Sequence, residues 1–249
     1  DYINNKKGVD SVLNARVKEC APFENVYTLA LRGLHDRAMN ASNDMGDRKD
    51  MLQEALMAQR QMLIDAIGKP GEEIPQAFTP YKEVLDVYDE GLELPDDVTI
   101  IWPDDNYGYM KRLSSPKEQK RSGRSGVYYH SSYLGKPHDH LWMNTISPTL
   151  MYEELRKAYD ATADRIWLLN AGDIKSCEFA VDYFLTMAFD IDSFNFERAA
   201  NYRTEWLCGM LGDQYRNEYQ DVVNSFYKLA FARKPEFMGW GYQWTTDKH

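Results

Sequence analysis

Apolar positions recur along this chain in two rhythms, a helical one and a short extended one, and the two alternate. Val9, Val12, Leu13 and Val17 fall on one face of a helix predicted over 8–20, and residues 24–33 (ENVYTLALRG) then read as a strand. Leu52, Leu56, Leu63 and Ile67 line one face of a helix over 50–67, which Gly68 and Pro70 stop. A strand at 74–79 (IPQAFT), a short helix at 84–90 and a strand at 98–102 (VTIIW) follow. The next strand is 126–130 (GVYYH). Ser147 and Pro148 form an N-cap and first-turn pair for a helix running to about 161, which returns to a strand at 166–170 (IWLLN). Asp173 is placed to cap a further helix ending near Met187.

Five strands alternating with helices predict right-handed βα units and a parallel sheet. Polar residues follow the end of every strand: Arg32, Lys82 and Glu83, Asp104 to Asn106, His130, and Asn170. An open doubly wound sheet collects its ligand at one switch point, whereas a barrel gathers residues from nearly every strand around one axis. The expected fold is therefore α/β, the C-terminal part of a (β/α)8 TIM barrel followed by a helical segment. A closed barrel needs eight strands, so about three are expected upstream. Residues 1–190 are assigned to the partial catalytic barrel and 191–249 to the helical segment, where Trp206, Met210, Tyr219, Val223 and Phe226 are expected to pack. The polar insertion 112–126 (RLSSPKEQKRSGRSG) carries Lys117, Lys120, Arg121 and Arg124, and reads either as a solvated loop or as a mobile flap over an acidic substrate.

Composition narrows the function. With 249 residues and 43% apolar content the chain can bury a large core. A formal charge of −10 argues against nucleic acid as partner, since that affinity depends on Lys and Arg displacing counterions. No apolar run reaches the ~18 residues of a membrane span. Cys20, Cys177 and Cys208 are widely spaced and read as buried free thiols, not a disulfide framework or zinc ribbon. No phosphate-binding glycine loop, Walker lysine or GxSxG elbow occurs, which leaves hydrolysis by paired carboxylates open.

Five clusters carry candidate chemistry, each with a plainer reading beside it. Arg32, His35 and Asp36 offer an acid beside a base, or a structural ion pair with a helix-capping histidine. Lys82 and Glu83 offer a carboxylate tuned by a cation, or a first helical turn. Asp104, Asp105, Asn106, Tyr107 and Tyr109 offer the mixed donors, acceptors and ring faces that sugars need, or an Asx turn. His130, Tyr133, His138, Asp139 and His140 raise a metal alternative, though no HExxH accompanies them. Asn170 to Asp173 is either part of a site or a strand-to-helix turn.

The segments YTLALRGLHD, VLDVYDEGLELPDDVTIIWPDDNYGYM, KRSGRSGVYYHSSYLGKPHDHLW and IWLLNAGDIKSCEF together resemble glycoside hydrolase family 115, the xylan α-1,2-glucuronidases, densely over 24–190 and on into the helical tail. The resemblance implies removal of (4-O-methyl)glucuronic acid branches from glucuronoxylan or aldouronic oligosaccharides, with inversion and without cofactor or metal. It implies active-site roles for Arg32, Asp36, Lys82, Glu83, Asn106, His130, Tyr133 and Asn170. Inversion uses one carboxylic acid on the leaving oxygen and one carboxylate on water, roughly 6.5–9.5 Å apart. Glu83 is the expected acid and Asp36 the expected base, with Arg32 and Lys82 holding the glucuronate carboxylate. Asn106, His130, Tyr133 and Asn170 are expected to hold hydroxyls and orient water. The same resemblance implies a periplasmic or extracellular location and leaves a homodimer of the full-length protein open. The competing expectations are a noncatalytic carbohydrate-binding barrel fragment and, third, a metal-dependent hydrolase using His35, Asp36, His130 and His138.

Overall fold

A computed structural model of the protein describes residues 2–33, 37–39 and 44–238. Helix α1 (Lys6–Cys20) starts where the Asn5 side chain accepts the Gly8 N–H, and α2 (Met45–Ile67) where Asp44 accepts that of Asp47. Gly68, at φ 73°, closes α2 in the left-handed conformation that a Cβ disfavours. The remaining elements are strands β1 (Tyr27–Thr28), β2 (Gln76–Phe78), β3 (Thr99–Pro103), β4 (Ser125–His130) and β5 (Ala163–Asn170), and helices α3 (Glu83–Asp89), α4 (Pro148–Asp160), α5 (Ile174–Phe189), α6 (Phe196–Leu211) and α7 (Arg216–Ala232). No strand follows β5 among the described residues.

Hydrogen bonds join the strands in the order β1-β2-β3-β4-β5. β1 pairs in parallel with β2 and β2 with β3, in the registers Thr28 to Ala77 and Phe78 to Ile100. Between β3 and β4, Ile100 N–H donates to Arg124 O and Asp104 N–H to Tyr128 O. Both partners advance by four residues, which only a parallel pairing does. Sequential parallel neighbours, joined by α-helices except between β3 and β4, where the connection holds only the 3-10 turn Glu118–Lys120, are the α/β pattern expected of part of a (β/α)8 barrel.

The chain forms two compact units, Asp1–Trp102 with Ser114–Gly126 and Pro103–Leu113 with Val127–His249. In the first, Leu52, Leu56 and Leu63 of α2 are buried with Leu29, Phe78, Val84, Val87 and Val98. The strand expected over 24–33 shrinks to two residues for a local reason. Leu29 N–H still donates to Ala77 O, but the Gln59 side chain then takes both backbone groups of Ala30, at 3.0 and 2.7 Å, and ends the ladder.

Neither reading of the 112–126 insertion describes Arg121, whose side chain is 11% exposed. Its guanidinium donates to the carbonyls of Leu94, Pro95 and Val98 at 3.2, 2.6 and 3.1 Å and so staples the insertion to the segment before β3. Tyr88 OH donates to Glu118, and Ser114 Oγ joins Trp102 Nε1 to Ser125 Oγ. Gly123 is required here, since a Cβ would lie 2.6 Å from the backbone of Asp97 and Val98. Lys117 and Lys120 remain on the surface.

In the second unit, Tyr129 of β4 packs with Met151 and Leu155 of α4, Tyr183, Phe184 and Met187 of α5, and Ala199 of α6. Ser147 caps α4 as predicted, accepting the Leu150 N–H. Arg203 of α6 lies over the rings of Phe226 and Tyr227 of α7 at 5.1 and 5.3 Å and donates to Tyr227 OH. Trp206 packs against the core and Val223 is buried, but Met210 is 63% exposed. It lies two residues past buried Cys208, about 200° around the helix, and so points to solvent. Cys177 and Cys208 are buried and Cys20 is half-buried, and Cys177 Sγ–H donates to Leu141 O. Among the described residues no helix is long and apolar enough to cross a membrane.

Candidate functional site

After β1 and β2, the first unit brings together Arg32, Tyr81, Lys82 and Glu83. Arg32 grips Glu83 with two parallel bonds, Nε to Oε1 at 3.3 Å and a terminal nitrogen to Oε2 at 3.2 Å. The Met39 N–H adds a third donor to Glu83 Oε1 at 3.2 Å. Both side chains of the pair are 20% exposed, so solvent reaches them. The Tyr81 ring sits under two cations, Arg32 at 5.3 Å and Lys82 at 4.9 Å. Lys82 has φ 53°, costly for a residue with a Cβ and characteristic of positions held by function. Asp36 and His35 lie outside the described residues.

In the second unit the segment after β3 is an Asx turn, the plainer of the two readings for its carboxylates. Asp104 is buried, and its oxygens accept the backbone N–H groups of Asn106, Gly108 and His130 at 3.0, 3.1 and 3.1 Å. Asp105 Oδ1 accepts those of Tyr107 and Tyr109. Both acids therefore build the turn, Asp104 through both oxygens and Asp105 through Oδ1. Asn106 takes φ 73°, a conformation Asn tolerates better than most residues.

Asp104 also orients His130, accepting its Nδ1–H at 2.5 Å; a carboxylate opposite Nδ1 requires the hydrogen there. The His130 ring is buried and lies against Tyr128 at 4.5 Å and Tyr133 at 5.7 Å. The Tyr133 and His140 backbones pair antiparallel, and Tyr133 OH donates to Lys136 O at 3.2 Å. His140 donates Nε2–H to Asn106 O at 2.7 Å, and burial pushes its pKa below the usual imidazole value. Tyr107 OH donates to His138 O at 2.7 Å, and its ring meets those of Tyr133 and His140. At the end of β5, Asn170 donates its side-chain amide to Tyr128 OH at 3.1 Å, while its carbonyl accepts the N–H groups of Ser131 and Ser132. Gly172, at φ 62°, leaves room for Ser132, whose Oγ would lie 2.5 Å from a Cβ there.

The predicted residues thus group as Arg32, Lys82 and Glu83 in one unit and Asn106, His130, Tyr133 and Asn170 in the other. Among the described residues no group of three or more His, Cys, Asp or Glu side chains is arranged to hold a metal ion. His130 and His140 each spend a ring nitrogen on Asp104 and on Asn106 O. Sequence reasoning missed Asp104 as the orienter of His130 and Tyr128 as the partner of Asn170. The signal was period-two alternation: Val127 and Tyr129 enter the core, so Tyr128 and His130 share the other face of β4.

The model of glycosyl hydrolase family 115 matches residues 1–237. One of 11 matching chains among solved structures is BtGH115A, described as a family GH115 4-O-methyl-α-glucuronidase with specificity for decorated arabinogalactans. It is 43% identical, superposes with a TM-score of 0.91, and the match covers 96% of this chain. This chain spans 32% of the length of that one. No curated protein matches. A family model spanning nearly the whole chain agrees with a structural match at this identity, and the chain belongs to glycosyl hydrolase family 115.

Proposed function

We propose that the chain contributes to a glycosidase that removes α-1,2-linked (4-O-methyl)glucuronic acid branches from glucuronoxylan or its oligosaccharides, with inversion and without a metal. The observation that carries this reading is the cluster after β2, one carboxylate with two cations around one aromatic ring. A uronic acid calls for that combination: cations for its carboxylate, a ring face beside the sugar, and an acid for the leaving oxygen. Glu83 is the proposed general acid and Asp36 the proposed base. Arg32 and Lys82 take the substrate carboxylate, while Asn106, His130, Tyr133 and Asn170 serve hydroxyls and water. Residues 1–190 act as barrel and 191–249 as its helical appendage in an exported protein.

The Arg32–Glu83 pair adds a step to this scheme. Glu83 accepts from Arg32 twice and from Met39 N–H, whereas a general acid must carry a proton of its own. A substrate carboxylate matches the planar fork of Arg32 and competes for it. Its arrival would release Glu83 to take up a proton from solvent, which reaches the 20% exposed side chain, and to deliver that proton to the leaving oxygen, so that substrate charge contributes to turnover as well as to binding. The methyl ester of the glucuronate branch should therefore lose kcat as well as raise KM.

The test is 4-O-methylglucuronate release by the full-length protein from a decorated xylooligosaccharide and, in parallel, from a decorated arabinogalactan. Glu83→Gln and Asp36→Asn should each lower turnover by roughly 10²–10⁴-fold. Near-normal turnover by Glu83→Gln would remove it as the acid. Release from arabinogalactan alone would move the substrate away from xylan.

A further inference from the structure

Within the second unit, a cavity of about 360 Å³ opens between the turn after β3, the start of α4 and the end of α7. Its walls include the rings of Tyr107, Tyr109, Tyr227 and Phe237, with Thr145 and Lys234. None of the candidate catalytic residues lines it, and neither does any carboxylate among the described residues.

Lys234 is the anomaly. Its ammonium has three hydrogens to give, and its partners are the Thr145 carbonyl at 3.3 Å and the Thr145 hydroxyl at 3.0 Å. No ion pair compensates it among the described residues, although a cation drawn out of water ordinarily requires one. Two acids lie in its field and neither forms an ion pair with it: Asp105 Oδ1 holds its turn, and Glu236 gives Oε1 to the Leu141 N–H while its buried Oε2 has no hydrogen bond among the described residues. Desolvation outweighs their pull and brings the Lys234 pKa down to about 8. An entering carboxylate would meet an unspent donor and an uncompensated charge.

The rest of the wall suits a sugar. Tyr109 is 43% exposed and lines the cavity, and pyranose C–H surfaces call for such an aromatic ring. The volume falls at the small end of small-molecule sites, near 300–1,000 Å³. We propose that this cavity is a second, noncatalytic binding position for a carboxylated sugar, its carboxylate on Lys234 and its ring against Tyr109. Only the sugar class is taken from the functional reading; the site itself stands on the unpaired lysine and its aromatic walls.

The experiment is calorimetric titration of the full-length protein with glucuronate, acetate and xylose in an Arg32→Gln/Lys82→Met background, which removes the cations of the proposed catalytic site. Glucuronate should still bind there, acetate at least tenfold more weakly, and xylose not measurably. Adding Lys234→Met should abolish glucuronate binding, Lys234→Arg should keep it, and Tyr109→Ala, a surface change that threatens no core, should weaken it severalfold. Unchanged affinity in Lys234→Met or Tyr109→Ala would overturn the proposal, as would acetate binding equal to glucuronate or no binding in the double variant. Turnover of the Lys234→Met protein with Arg32 and Lys82 intact separates the two readings: loss of the cavity site leaves it standing, whereas a failed catalytic reading leaves no turnover in any variant.

Discussion

At the scale of single residues, the chemistry comes from side chains placed where their charge is either matched or left unmatched. Arg32 and Glu83 match each other; Lys234 lacks an ion-pair partner among the described residues. That difference has a consequence for pH. The Lys234 pKa is about 8 in the folded protein against an ordinary 10.5, so below pH 8 both folded and unfolded chains hold the proton and burial costs a constant amount. Between pH 8 and 10.5 the unfolded chain binds more protons, so stability from this group rises with pH, by on the order of 3 kcal/mol in all. Lys234→Met removes the penalty. Its stability advantage over the wild type, from urea midpoints, should be largest at pH 7 and shrink towards pH 10; a difference independent of pH would refute a desolvated ammonium at this position.

Among the elements, the turn after β3 depends most on one group. Asp104 satisfies three backbone N–H groups and the His130 ring from a fully buried side chain. Asp104→Asn keeps the shape but replaces one acceptor oxygen with an N–H₂ that faces donors. Breaking one partner of a buried charged network costs about 3–5 kcal/mol, so the melting temperature should fall sharply. The His130 ring should also lose its fixed tautomer, visible as a shift of its ¹⁵N resonances. A variant that melts like the wild type would remove Asp104 from this role. The insertion 112–126 makes the same point in reverse, since Arg121, 11% exposed, is spent on three carbonyls and holds the loop in place.

For the chain as a whole, each compact unit has its own buried cluster, one on α2 and one on α4 and α5, and the strands run through a sheet in sequential order. The overall charge of −10 sets the long-range field. A polysaccharide carrying uronic acids, the proposed substrate, is itself anionic, so under that proposal net repulsion must be crossed before Arg32 and Lys82 could act at short range. Screening weakens the long-range term within a Debye length of about 10 Å at 0.1 M salt. Association of this chain with a densely glucuronidated polymer should accordingly quicken as salt rises from about 10 to 100 mM, and association with a neutral xylooligosaccharide should stay flat. A monotonic fall with salt would mean that local cations dominate even at a distance.

Hydrophobic periodicity determined where the five strands and most of the helices between them lie, because burying one face imposes a period of 2 or 3.6 on any sequence. The Ser147-Pro148 start of α4 and the Gly68 stop of α2 were equally legible, being local backbone chemistry. Family membership was legible too, since it rests on motifs in the strand-end segments. What the tertiary structure decided were pairings across long stretches of chain, which no local pattern encodes. Glu83 meets Arg32 from 51 residues away, Asp104 meets His130 across 26, and Gln59 ends β1 by reaching Ala30. Lys234 carries no signal in the sequence, and only folding places it against Thr145, 89 residues earlier. A cation's partners and its loss of water are properties of the space around it, and that space exists only once the chain has folded.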